Sequence, residues 1–282
     1  MTTTVFFAVI GAALLHATWN ALVKNGANKT TSMGAVVIGH VPLALLVLPF
    51  VPFPAPESYP YIAAALVLHV GYQLFLLKSY QTGDLTQVYP IARGSAPLLV
   101  ALFSVLVLGT RLAPLELMAV AIIGCGIISL ALVRRADGQR NGNAAMLALT
   151  TGLFIASYSL VDGLGARAAG TSLGYYGWLA VANGVITTAY LALRAPDSLR
   201  AMTRGKGLMV FAVGGSASFV AYAIVTWAFT QSPIALVTAL RETSIVFALL
   251  IGVFFLKERL DLIKLFSTLT TLVGAAMLRF AR

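Results

Sequence analysis

Two arginines, Arg93 and Arg241, interrupt otherwise apolar runs of this 282-residue chain. A charge near the centre of a bilayer costs roughly 2.5–3.5 kcal/mol on insertion scales, whereas a Leu or Ile there returns only about 0.3–0.6. Side chains that expensive must face protein or water. A guanidinium is a fixed fork of donors that fits a carboxylate, so the pair predicts a place where an anionic group is attracted, one arginine toward each mouth of a pathway. The competing account makes them struts between helices, neutralised by Asp162 or by Glu242, or long side chains reaching for the headgroups.

Polar and aromatic side chains recur around them at helical spacing. His16, Asn20 and Lys24 lie four apart; His69 and Gln73 do the same with Tyr72 beside them; Tyr89 shares a face with Arg93, and Ser218 with Tyr222 and Thr226. Trp19, Tyr72, Tyr89, Tyr158 and Tyr222 are placed to line a common interior, with packing as the alternative. Tyr59, Tyr61, Tyr175 and Tyr176, near the ends of runs, read as an interfacial belt. His16, His40 and His69 fall at mid-depth of the first three runs, where hydrogen-bonded packing, proton coupling and ligation of a haem or metal are the three accounts. Supporting ligands for the last are missing: the single cysteine, Cys125, lies in an apolar run and reads as packing. No cofactor or metal is expected. The chain has no Walker loop, no His-Glu-x-x-His and no Gly-x-Ser-x-Gly elbow, which leaves an intramembrane serine (Ser95, Ser157 or Ser216) working with His69 as the enzymatic option.

The elements that must position these groups follow from composition. The chain is 59% hydrophobic and 10% charged, against about 25% charged for a soluble domain, and its mean hydropathy is +0.91. A water-soluble globule is excluded. The apolar residues fall into runs of about 20, the length a helix needs to cross about 30 Å of hydrocarbon: 3 to 23, 32 to 52, 58 to 80, 86 to 108, 113 to 133, 144 to 165, 172 to 193, 207 to 229, 234 to 256 and 260 to 279. The runs are apolar on every face and too long for barrel strands, so the fold class is all-α, a polytopic bundle of ten transmembrane helices. The connections leave no room for an extramembrane catalytic or receptor domain. The N-terminal run lacks the cationic region of a signal peptide and reads as a retained first span.

The net charge of +10 is explained by topology. With ten alternating spans, thirteen basic residues fall on one side and only Arg111, Arg167, Arg279 and Arg282 on the other. The positive-inside rule makes the first side cytoplasmic and places both termini on the non-cytoplasmic side. Membrane lipids are the expected surroundings, and nucleic acid is not an expected partner.

Tyr80 to Leu112 lies on Ala228 to Leu260 at a constant shift of 148, which brings Arg93 onto Arg241 and Thr82 onto Thr230; further on Gly126 meets Gly274. Ala17 to Asn20 matches Ala156 to Ser159 at a shift of 139. The halves are therefore 1–138 and 139–282, five spans each, with the basic loop 134 to 143 as the seam. Five is odd, so the second half enters the membrane inverted, an arrangement recurrent in secondary transporters with a central cavity between the halves.

With Ala17-Thr-Trp19-Asn20, Pro97, the Arg111-Leu112 step and Leu256-Lys-Glu-Arg-Leu260 in place, the chain resembles the ten-span drug/metabolite transporter superfamily, of EamA type. Within it the chain looks like exporters of amino acids and related metabolites in the bacterial inner membrane. The resemblance implies a small-molecule substrate, transport without chemical change, alternating access, and cavity walls on spans 1, 3, 4, 6, 8 and 9. These carry the candidate substrate-binding residues His16, Trp19, Asn20, His69, Tyr72, Gln73, Tyr89, Arg93, Tyr158, Tyr222, Arg241 and Glu242. Multidrug or cation efflux in the same family and a membrane-embedded enzyme acting on lipid or peptide are the alternatives. Nothing in the pattern requires a second chain, and a monomer is expected.

Overall fold

The computed structural model describes residues 1–24, 28–82, 85–129, 142–254 and 262–280, with the side chains of residues 24, 77, 80, 81, 85–90, 263 and 264 outside the description. The seam from 134 to 141, the Leu256–Leu260 motif and the side chain of Tyr89 therefore lie outside the described residues. Within them every regular element is helical. Seven helical segments are long and apolar enough to cross a membrane: Thr3–Val23, Lys29–Phe50, Pro56–Leu76, Gly142–Ala168, Ser172–Arg194, Gly205–Gln231 and Ile234–Phe254. Three shorter apolar helices accompany them, Ile91–Leu106, Pro114–Ile128 and Leu265–Phe280.

In chain order the α-helices are α1 (Thr3–Lys24), α2 (Lys29–Ile38), α3 (His40–Val47), α4 (Tyr59–Thr82), α5 (Leu85–Leu106), α6 (Pro114–Ile128), α7 (Gly142–Ala168), α8 (Ser172–Arg194), α9 (Pro196–Met202), α10 (Gly205–Met209), α11 (Gly215–Gln231), α12 (Ile234–Arg241), α13 (Ser244–Phe254) and α14 (Leu262–Phe280). Three of the apolar runs are not single helices, and each interruption has a local cause or consequence. Pro42 has no N–H to give the carbonyl of Ile38, and the second run breaks at Gly39 between α2 and α3. A π turn over Val210–Gly214 joins α10 to α11. Between α12 and α13 the amides of Glu242, Thr243, Ile245 and Val246 bond three residues back, to Ala239, Leu240, Glu242 and Thr243, so the helix tightens where its charged pair sits.

The packing pattern maps onto itself when the two halves are exchanged. Helix α4 packs on α7 as α11 packs on α1, and α5 packs on α7 as α12 and α13 pack on α1. Equivalent helices meet directly in α6 with α14, α5 with α12, and α2 and α3 with α8. Glycines make the α6–α14 contact reciprocal: a Cβ on Gly126 would lie 2.1 Å from Thr270 Oγ1, and one on Gly274 would lie 2.5 Å from Ile123. The ends also sort. Trp19, Leu22 and Val23, late in α1, cluster with Leu191, late in α8, and with Leu199 and Met202 of α9. Ala166 and Ala169, at the end of α7, cluster instead with Tyr175 and Tyr176, at the start of α8. Helices α1 and α7, equivalent in the two halves, thus finish at opposite ends of α8.

The surface is apolar, unlike that of a soluble protein, and polar side chains are buried among the apolar core clusters. Leu46, Phe50, Val67, Leu106, Leu193 and Phe280 are exposed, whereas Ser159, Asp162, Thr226, Thr238, Glu242 and Thr271 are fully or almost fully buried. Lipid tails and apolar side chains satisfy each other, and polar groups gain by turning inward. Cys125, expected as packing, is instead exposed on the outer face of α6, where a thiol behaves as a small apolar group.

Candidate functional site

Among the described residues, four charged side chains are buried together with the aromatic stripe: Arg93 of α5, Asp162 of α7, and Arg241 and Glu242 at the end of α12. The first cluster is a carboxylate between two guanidiniums. Arg93 Nε lies 2.9 Å from Glu242 Oε2, and Arg241 Nε lies 3.8 Å from Glu242 Oε1. Among the described residues Arg241 Nε and Nη2 have no hydrogen-bond partner, so this guanidinium keeps unused donors in a dry setting. The two arginines, expected at different depths near opposite mouths, meet on a single carboxylate. Helix α5 packs across α12, and the tightened backbone at Glu242 turns its side chain into that crossing.

A small cavity of about 50 Å³ adjoins this cluster, lined by His16, Trp19 and Asn20 of α1, Tyr72 of α4, Arg93, and Ile155 of α7 among others. Trp19 Nε1 donates to His16 Nδ1 at 3.2 Å, and Asn20 Nδ2 donates to the carbonyl of His16 at 2.7 Å, so the polar stripe of α1 is internally braced. The volume admits one or two waters, against roughly 300 Å³ upward for a small-molecule pocket.

The second cluster is built on Asp162, which is fully buried. Tyr175 OH donates to Oδ1 at 3.2 Å; Tyr222 OH donates to Oδ2, and His69 Nε2 lies 2.9 Å from the same oxygen. His69 stacks on Tyr158 with ring centroids 4.3 Å apart and meets Tyr222 edge-on at 5.8 Å. Tyr72 touches Tyr158 at 5.5 Å, so a continuous aromatic wall runs from the cavity to Asp162. Asp162, weighed as a partner for Arg241, serves this wall, and Glu242 takes the arginines.

The structure brings together His16, Trp19, Asn20, Tyr72 and Arg93 at the cavity, His69, Tyr158 and Tyr222 at Asp162, and Arg241 with Glu242. Gln73, half-buried on α4, takes part in none of these contacts. Tyr175 and Tyr176 were expected in an interfacial belt but are buried, Tyr175 on Asp162 and Tyr176 with its hydroxyl 3.4 Å from His40 Nδ1. Hairpin register carries the signal that was missed. Asp162 lies six residues before the end of α7 and Tyr175 three after the start of α8, so a long phenol reaches the depth of the carboxylate, about 9 Å by helical rise.

A larger hollow of about 340 Å³ opens at one end of the bundle, lined by Ser104, Thr110, Arg167, Thr230, Gln231 and Ile234 among others. Arg167 straps its wall by donating to the carbonyls of Phe229 and Ser232 at 2.8 and 2.9 Å. Ile234, in the wall of this hollow, also packs against Gly163 beside Asp162.

The model of the EamA-like transporter family matches residues 3–132 and again residues 142–280. No curated protein matches the chain. A solved crystal structure superposes with a TM-score of 0.75 over 98% of this chain and 96% of its own, at 17% identity, which shows a shared fold.

Proposed function

Because this chain belongs to the EamA-like transporter family, we propose that it is a secondary transporter that exports small amphipathic metabolites, amino acids foremost, from the bacterial cytoplasm by alternating access. Its ten spans form two inverted five-helix units, 1–138 and 139–282, with both termini outside. The opposed finishes of α1 and α7, and a packing pattern unchanged by exchanging the halves, support that architecture. The observation that carries the transport reading is the meeting of Arg93 and Arg241, one from each half, over Glu242, beside a cavity walled by the first half and by Ile155 of the second. Neither half alone completes the site, so rocking one against the other remakes it.

An amino acid suits the chemistry of the walls. Its carboxylate finds the donors that Arg241 leaves unused, and its ammonium finds the faces of Tyr72, Tyr158 and Tyr222. The 50 Å³ cavity is too small for such a guest, so this conformation is closed, with Ile234 as the plug toward the larger hollow.

Reconstitution tests the reading. Proteoliposomes carrying the full chain should take up and release labelled amino acids from an equimolar mixture, with the label recovered chemically unchanged. Polyamines and cationic drugs serve as competitors. Arg93→Ala and Arg241→Ala should each lower flux by about tenfold or more, the loss of a charge-assisted pair worth roughly 1.5–3 kcal/mol. Unchanged flux in both would make the arginines struts, and a modified product would make the protein an enzyme.

A further inference from the structure

Asp162 is the buried carboxylate that the arginines leave alone. Among the described residues its partners are two phenols and an imidazole: Tyr175 OH, Tyr222 OH and His69 Nε2. An ionised carboxylate only accepts, so Nε2 of His69 carries the hydrogen that faces it, which leaves Nδ1 as a lone-pair acceptor. Among the described residues no hydrogen bond reaches Nδ1, and the side chain retains 15% exposure. The imidazole is held by an edge contact to Tyr222 and by a stack on Tyr158, whose face favours a positive charge against it.

The surrounding elements supply the remaining charged and titratable groups. Helix α1 contributes His16, α3 His40, α4 Tyr72, α5 Arg93, α7 Tyr158, α8 Tyr175 and Tyr176, α11 Tyr222, and α12 Arg241 followed by Glu242. Arg93 and Arg241 face Glu242, and Asp162 faces His69; with the imidazole neutral these four buried charges cancel. His69 is therefore the group through which Asp162 gains a cationic partner.

We infer that Nδ1 of His69 is a proton-binding site that competes with the ammonium group of a transported amino acid, so that one proton enters for each molecule exported. This rests on reading the centre as an amino-acid site. A free lone pair accepts an N–H from the ammonium; once Nδ1 takes a proton it becomes a donor, and the imidazolium repels the ammonium. One atom thus holds either guest and never both. Asp162 is a positioning residue, fixing the tautomer and stabilising the charged ring, and the tyrosines hold Asp162 in turn.

The test is flux into proteoliposomes with an acidic lumen, using the labelled amino-acid mixture. With the membrane potential held at zero by valinomycin and equal potassium on both sides, one proton exchanged per zwitterion gives about tenfold accumulation for each unit of pH difference. Wild type should accumulate label in that sense, and nigericin should abolish it. The ratio of flux with the gradient to flux without it should fall to about one in His69→Gln and in Asp162→Asn, whatever their absolute rates. A wild-type ratio of one, accumulation under the opposite gradient, or a wild-type ratio in His69→Gln overturns the inference. A substrate-free readout covers silent variants and a wrong substrate class. A pH-jump infrared difference spectrum of the full chain should contain bands lost together in both variants, and identical spectra in all three proteins overturn the proton site even if amino-acid transport is found. Those bands without any amino-acid flux would sink the substrate reading alone.

Discussion

Glu242 has no counterpart in the first half: the shift that carries Arg93 onto Arg241 puts Gly94 in its place. Two equivalent guanidiniums therefore share one carboxylate, and removing it leaves two buried cations facing each other. Breaking a buried pair costs about 3–5 kcal/mol, because the abandoned charge stays dry. Glu242→Gln should lower the thermal midpoint of the detergent-purified protein sharply, and adding Arg93→Gln should restore part of the loss. Additive losses in that double-mutant cycle would mean that the 2.9 Å contact carries no coupling. The arginines were legible in the sequence because a charge in an apolar run is rare and costly. Which carboxylate they meet was not, since Asp162 and Glu242 are chemically alike and only the α5–α12 crossing separates them. Tyr175 was hidden for a related reason. Distance from a helix end places a Cα, whereas the phenol ends several ångströms deeper.

At the scale of elements, the bilayer made most runs readable, because a spanning segment must satisfy its backbone within a helix of fixed length. The interruptions were less so. Pro42 signals the break at Gly39 once the i to i−4 bond is considered, but 234–243 contains no glycine and no proline after Pro233 to mark the tightened turn at Glu242. That turn follows from where the carboxylate must point, which is tertiary information. The break at Gly39 has a function in packing as well. A Cβ there would lie 2.3 Å from the carbonyl oxygen of Phe211 in the π turn, and one on Gly215 would lie 2.7 Å from the Cα of Gly39. Both clashes are with backbone, which cannot rotate away. Gly39→Ala and Gly215→Ala should each destabilise by about 1–3 kcal/mol or more, seen as a lowered unfolding midpoint. Gly11→Ala is the control: nothing lies within 4 Å of its added methyl, and it should be neutral or stabilising by up to about 1 kcal/mol through helix propensity. Equal effects at all three sites would refute the close approach of the two backbones.

For the whole molecule, the contacts decide which segments share an end, and the charges decide which end faces the cytoplasm. Thr31 bonds Ser198 at 3.0 Å, and the amide of Ala55 bonds the carbonyl of Ala169 at 3.1 Å, so each of these bridges joins two connections assigned to one side. Arg279 donates to Thr3 at 3.1 Å, tying the last helix to the first at the end where both termini emerge. The thirteen-to-four division of basic residues then predicts an orientation that the packing cannot choose by itself, since a bundle turned over keeps every contact. In a Cys125→Ser background, a cysteine at Thr2 should react with a membrane-impermeant maleimide in intact cells, and one at the exposed Arg200 should react only after the membrane is opened. Labelling of position 200 from outside, with position 2 protected, would place the hollow beneath Arg167 on the cytoplasmic face. The entry and exit paths would exchange, and the proton would have to leave by the route along which it is now expected to arrive.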